Sequence, residues 1–204
     1  MTIAMTKLRE KAVLAAWEEV QLHSLRFTMA DVTRRLHMSK SSLYKIVPSK
    51  DDLVHAMLDY VIDSFERREK EIRSSGESIV HQIRCFVEVY LSLVKPMMVM
   101  GFYRDLELQY PEEYERWQEF YRQKIEVTMT MLQQGVDEGV FRPVSLPVVQ
   151  HCLYVSAAAL TDAAFLQKYN LTHREAIESL EDILFRGILA APEKEREASQ
   201  TERA

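Results

Sequence analysis

The stretch FTMADVTRRLHMSKSSLYKIVPSKDDL, residues Phe27 to Leu53, decides the fold. Thr28 is followed three residues later by Asp31, and Ser49 likewise by Asp52. Each pair is a variant of the capping box, in which side-chain oxygens satisfy the free N–H groups of a first helical turn. Ser39 is a third N-cap candidate, and Pro48 disfavours helix at the residue before it. The pattern predicts two short helices, Thr28 to Leu36 and Ser39 to Ile46, then a long one from Lys50. Two short helices joined by a tight turn form a helix-turn-helix, whose second helix enters the DNA major groove if its outer face is small or polar. Val32, Thr33, Leu36, Met38 and Leu43 are expected to pack inward, leaving Lys40, Ser41, Ser42 and Lys45 outside. Small serines allow close backbone approach, lysine reaches phosphate or guanine, and Tyr44 can donate to phosphate or meet a thymine methyl. With Thr28, Ser39 and Lys50, these residues are the candidate DNA contacts.

Charge supports the same partner once it is divided along the chain. The net charge is -5, which argues against nucleic acid as a whole-chain property. Residues 1 to 50, however, carry nine Lys or Arg against four acids, and the remainder carries 17 against 27. A basic head is therefore joined to an acidic body, which attracts phosphate at one end and repels it elsewhere.

The block also resembles the DNA-binding head of the TetR family, aligning without a gap from the first helix onward. The family pattern has Thr or Ser opening helix two and a hydrophobic residue with Ala inside it. Gly-Val-Ser then forms the turn, followed by an aliphatic-Tyr pair and a Lys that opens helix four. Thr28, Val32, Met38, Ser39, Leu43, Tyr44, Lys50 and Leu53 match. His37 stands where the family has Gly, Val47 replaces Phe, and Thr33 replaces Ala. A non-Gly residue at positive φ costs on the order of 1 kcal/mol, and His is among the tolerant types. The resemblance implies a double-stranded DNA operator as partner and a helical ligand-binding body. It also implies that the last two helices dimerise as a four-helix bundle, and that the usual outcome is repression.

Outward from the block the chain reads as all-α. Glycines number five and prolines six, and good helix formers dominate. Helices are expected from Thr6 to Leu22, from Lys50 to about Glu71, and from Ile79 to Leu93. Four more follow, Met98 to Gln109, Glu112 to Asp137, Val148 to Gln167 and His173 to Leu189, making nine in all. Residues 1–48 form the expected DNA-binding domain, 49–191 the effector-binding and dimerisation domain, and 192–204 a charged, disordered tail.

Val148 to Leu166 is apolar nearly all round, so it must be buried on more than one side. Val155, Ala159 and Ala163 from it, with Leu180 and Leu184 from the last helix, are the expected homodimer face. Tyr90, Met98, Phe102, Trp117, Phe120, Tyr121, His151 and Tyr154 are candidates for an effector pocket, because such pockets are mostly apolar with a few polar groups. Their chemistry suits a bulky apolar or aromatic small molecule. The alternative is a helix-turn-helix protein regulated by a protein partner, with no small-molecule ligand.

Enzymatic function finds no support. The six histidines are scattered, with no HExxH and no carboxylates at metal-ligand spacing, so neither metal nor cofactor is implied. The serines near residue 40 are not in a GxSxG elbow. No run is long and apolar enough to span a bilayer and no cleavable leader is expected, so the expected location is the cytoplasm. Cys85 and Cys152 lack metal or CxxC spacing and are expected as buried reduced thiols.

Overall fold

Caps set the N-terminal helices. The computed structural model describes residues 3–94, 101–160 and 162–190, and these contain ten α-helices. α1 (Ile3–His23) leads through a 3-10 turn (Ser24–Arg26) to α2 (Met29–Arg35) and α3 (Lys40–Tyr44). Thr28 closes a full capping box on α2: its N–H donates to Asp31 Oδ2 at 2.8 Å, and the Asp31 N–H donates back to Thr28 Oγ1 at 3.3 Å. Ser39 Oγ accepts from the Ser42 N–H at 3.1 Å and Ser49 Oγ from the Asp52 N–H at 2.9 Å. The latter opens α4 (Lys50–Arg73). Each such cap is worth about 1 kcal/mol.

The chain packs as two units, residues 1–77 with 85–122, and residues 78–84 with 123–204. In the first unit α1 packs on α4 and α2, and α2 on α3. Ala12, Ala16 and Val20 of α1 are fully buried, as are Leu53 and Phe65 of α4. Small side chains on α1 let the two helices approach closely. α5 (Ile79–Val94), α6 (Phe102–Gln109) and α7 (Pro111–Asp137) follow. α6 packs on the 3-10 turn. Phe65 receives Phe86 of α5 and Phe120 of α7 edge-on, with ring centroids 5.1 and 5.5 Å away. The run of ring contacts continues through Trp117, Tyr103 and Phe102 to Trp17 on α1. Each aromatic pair adds about 0.5 to 1.5 kcal/mol beyond its area burial. Arg116 of α7 grips Asp59 of α4 at 2.7 Å and Glu113 at 2.6 Å, and His55 Nδ1 lies 2.6 Å from Glu113.

The second unit holds α8 (Leu146–Ala159), α9 (Ala163–Tyr169) and α10 (His173–Ile188), with α8 packed on α10. Phe141, after α7, lies buried against Phe185 of α10 at 6.3 Å. An isolated antiparallel bridge joins Phe141 to Leu189. The Arg142 N–H donates to the Ile188 carbonyl at 2.8 Å and the Ala190 N–H to the Val140 carbonyl at 2.9 Å.

Two expectations are corrected here. Val148 to Gln167 is not one helix: α8 ends at Ala159, and Asp162 starts α9 by accepting from the Ala164 N–H at 2.9 Å. The uniformly apolar run carries no period that would reveal the break, and the capping signal lies in a single Asp. Cys152 is exposed and Cys85 half-buried, so neither is the buried thiol expected. The tail from Pro192, like the Met98 start of the expected sixth helix, lies outside the described residues.

Candidate nucleic-acid interface

α3 is seated by its apolar side and free on the other. Leu43 and Val32 are fully buried, Val47 and Thr33 nearly so, and Leu36 and Met38 are half-buried. The Thr33 hydroxyl, out of place in an apolar seat, donates to the Ala30 carbonyl at 2.9 Å. Lys40, Ser41 and Lys45 are exposed, Ser42 is half-buried, and Tyr44 is 45% exposed despite its large ring. The structure thus brings Lys40, Ser41, Ser42 and Tyr44 together on one short helix, with Lys45 as its C-cap residue. His37 takes φ +51 in the turn, the left-handed conformation for which the family pattern uses Gly.

The remaining three candidates have structural work of their own. The Thr28 hydroxyl donates to Asp31 Oδ2 at 2.7 Å as part of its cap. Ser39 Oγ lies 2.8 Å from Ser42 Oγ and 3.0 Å from Ser41 Oγ, a three-hydroxyl cluster at the start of α3. Lys50 turns inward: its Nζ donates to the Leu25 carbonyl at 2.5 Å and lies 4.9 Å from the centre of the Phe27 ring. Burial pushes its ammonium down from the ordinary lysine range, against the opposing pull of Asp51 and Asp105. Lys50 is thus a strut between α4 and the 3-10 turn, and any phosphate contact must use its two other N–H donors.

Sequence reasoning missed Arg35. Its Nε donates to the buried Glu19 at 2.6 Å and its Nη1 to Glu18 at 2.6 Å, fixing α2 on α1. Partners 16 and 17 residues apart leave no local signal.

Asp31 yields a pH prediction. Hydrogen bonds from Thr28, then the Arg34 guanidinium, hold its carboxyl at about 2, below the ordinary 3.8. A depressed folded value means that the cap's contribution is complete above the unfolded value and fades as pH falls through the folded one. A carbon-13 carboxyl titration should place the Asp31 midpoint near 2. A midpoint near 4 would mean that the capping box is not formed in solution.

The effector candidates divide. Phe102, Trp117 and Phe120 are buried and closed on neighbouring rings, and the half-buried Tyr90 and Tyr121 face each other at 6.2 Å. His151 is exposed on α8 in the second unit. The Tyr154 side chain and Met98 lie outside what is described. Among the described residues no group of three His, Cys, Asp or Glu could hold a metal, and no helix is long and apolar enough to cross a membrane.

No family model matches the sequence. An uncharacterized HTH-type transcriptional regulator of Bacillus subtilis strain 168, YvaF, is 24% identical over 188 residues, covering 90% of this chain and 97% of the relative. The ketosteroid transcriptional regulator KstR2 of Mycobacterium tuberculosis superposes with TM-score 0.67 at 19% identity, covering 90% of this chain and 95% of the other. A TetR-family regulator of Marinobacter aquaeolei VT8 superposes with TM-score 0.72 at 16% identity, covering 100% and 98%. The chain has the TetR-regulator fold.

In this chain of TetR-regulator fold the expected dimer residues divide between α8, α9 and α10. α8 exposes Val148 (58%), Cys152, Val155 (47%) and Ala159, which step by four, three and four along one face. On α10, Ile183 is 69% exposed, Leu180 and Leu184 are half-buried, and Ile177 is spent on the chain's own core. Ala163 is the first residue of α9.

Proposed function

We propose that this protein is a sequence-specific DNA-binding transcriptional regulator that works as a homodimer. One observation carries the reading: Lys40, Ser41 and Tyr44 on a short helix, and Lys45 at its C-cap, are exposed, while the opposite side is locked down by Leu43. A rigid helix presenting small, cationic and phenolic groups suits the major groove. Two copies are needed because one such helix reaches few base edges. The exposed apolar stripe of α8 with Ile183 of α10 offers the surface to join them. Thr28 and Ser39 serve mainly as helix caps near phosphate, and Lys50 as a strut with donors to spare.

We further propose that DNA binding represses transcription and is released by a bulky apolar or aromatic effector. The support is the ring run from Phe86 and Phe65 through Phe120, Trp117, Tyr103 and Phe102 to Trp17. A guest that parts these rings displaces α6 and α7 and, through Trp17, bears on α1 of the head. Since the rings are already closed on one another, such a guest must rearrange them. It therefore shifts an equilibrium between two packings, and does not fill a ready cavity.

Selection of bound duplexes from a random DNA pool tests the reading. We expect an enriched inverted repeat whose half-site centres lie about one helical turn or a multiple apart. A pool that stays random after selection would remove the proposed specificity.

A further inference from the structure

The first fifty residues hold nine Lys or Arg, and the outer face of α3 accounts for two of them, Lys40 and Lys45. The others divide by what the chain already asks of them. Arg35 is held by Glu18 and Glu19, Arg34 meets Asp31 at 2.9 Å, and Lys50 turns inward to the Leu25 carbonyl. Lys7, Arg9 and Lys11 sit on α1, about three turns or more before that helix ends. Arg26 is left.

Arg26 closes the 3-10 turn between Leu25 and Phe27, which are 0% and 1% exposed. Lys50 pins the same turn, its Nζ bonded to the Leu25 carbonyl and lying over the Phe27 ring. The backbone is thus anchored on both sides, while the Arg26 side chain is 81% exposed. Only side-chain freedom remains to be lost on binding. Among the described residues its ion-pair partner is Asp105 of α6, with Nε 3.8 Å from Oδ2, too far for a hydrogen bond. A guanidinium whose Nε faces a carboxylate at that distance keeps its four Nη donors, a planar fork that fits a phosphate. The surroundings set the partner. Thr28, the N-cap of α2, is two residues further on, Lys50 opens α4 beside the turn, and α2 packs on α3.

We propose that Arg26 is a further DNA contact, clamping a backbone phosphate beside the groove that α3 enters. The inference rests on the DNA-binding reading above and adds a residue on a different element. A phosphate contact fixes the position of the head on the duplex and carries no sequence information. Arg26 therefore acts on all duplexes alike, unlike the residues on the face of α3.

Salt titrations of the full chain, read by fluorescence anisotropy on the selected operator and on random duplex, test the proposal. Arg26→Gln and Arg26→Lys are compared with Lys40→Ala and Lys45→Ala. Since the side chain lies in water, both Arg26 variants keep the fold. Arg26→Gln should flatten the fall of log K with log salt by about 0.9. At 0.1 M salt it should weaken both duplexes by the same factor of about eight, the 0.9 accumulated over the decade below 1 M. Arg26→Lys keeps the charge and should keep the slope. An unchanged slope in Arg26→Gln, with a flattened slope in a lysine variant, would overturn the Arg26 contact and leave the α3 face standing. Unchanged slopes in all four variants would overturn both. A slope that flattens equally in Arg26→Lys would lay the effect on the shape of the turn, against the proposal.

Discussion

Val155→Arg should convert the proposed dimer to monomers while leaving each chain folded. Val155 is 47% exposed in the single chain, so an arginine there has room and water, and the monomer has nothing to lose. Against a second copy, the same charge must be desolvated in an apolar stripe between Val148 and Ala159 without a partner. Operator affinity should fall with it. Linking two half-site readers raises overall affinity about 10² to 10⁴-fold over one, and the monomer forfeits that gain. Sedimentation velocity and operator titration on the same sample check both parts. A dimer with native operator affinity would move the interface away from α8.

Gly135→Ala should lower stability by about 1 to 3 kcal/mol, the range for overpacking a closed core, and the melting temperature by about 2 to 12 °C for a chain of this size. Gly135 lies within α7, where alanine is ordinarily the better helix former. Here a Cβ would overlap the edge of the Phe141 ring. That ring is 2% exposed and faces Phe185, so it has little freedom to yield. Its own N–H also donates to the Gly135 carbonyl at 2.8 Å. The Phe141 clamp on α10 would loosen in consequence. Calorimetry decides, and an unchanged or raised melting temperature would show that the ring is not seated on Gly135.

The head was legible in the sequence because its information is local. Thr28 with Asp31, Ser39, Ser49 with Asp52, and Pro48 each speak about residues within one turn, and the structure realises every one of these caps. His37 at positive φ follows from the same kind of reading. What the sequence could not show is what depends on distant partners. The direction of Lys50 is set by the Leu25 carbonyl and the Phe27 ring on another element, and spacing within α4 carries no trace of them. Arg35 and its two glutamates are hidden for the same reason. In the body the apolar run after Val148 has no period, so neither the break at Asp162 nor the exposed face of α8 could be drawn from it. Aromatic spacing did single out Phe102, Trp117 and Phe120, but it could not distinguish rings that close on each other from rings that line a pocket.

The central claim is that the outer face of α3 meets DNA, and the salt dependence of operator binding tests it most directly. Each neutralised phosphate steepens the fall of log K with log salt by about 0.9 for duplex DNA. Lys40 and Lys45 are exposed and play no part in the packing of α3, so their loss leaves the head intact. The slope, measured by fluorescence anisotropy on the selected operator, should flatten by about 0.9 in each of Lys40→Ala and Lys45→Ala where that lysine meets phosphate. Lys45→Ala together with Tyr44→Ala should weaken the operator more than random duplex. Unchanged slopes in both lysine variants, with operator preference intact in the Tyr44 variant, would contradict the account and put the DNA on another face.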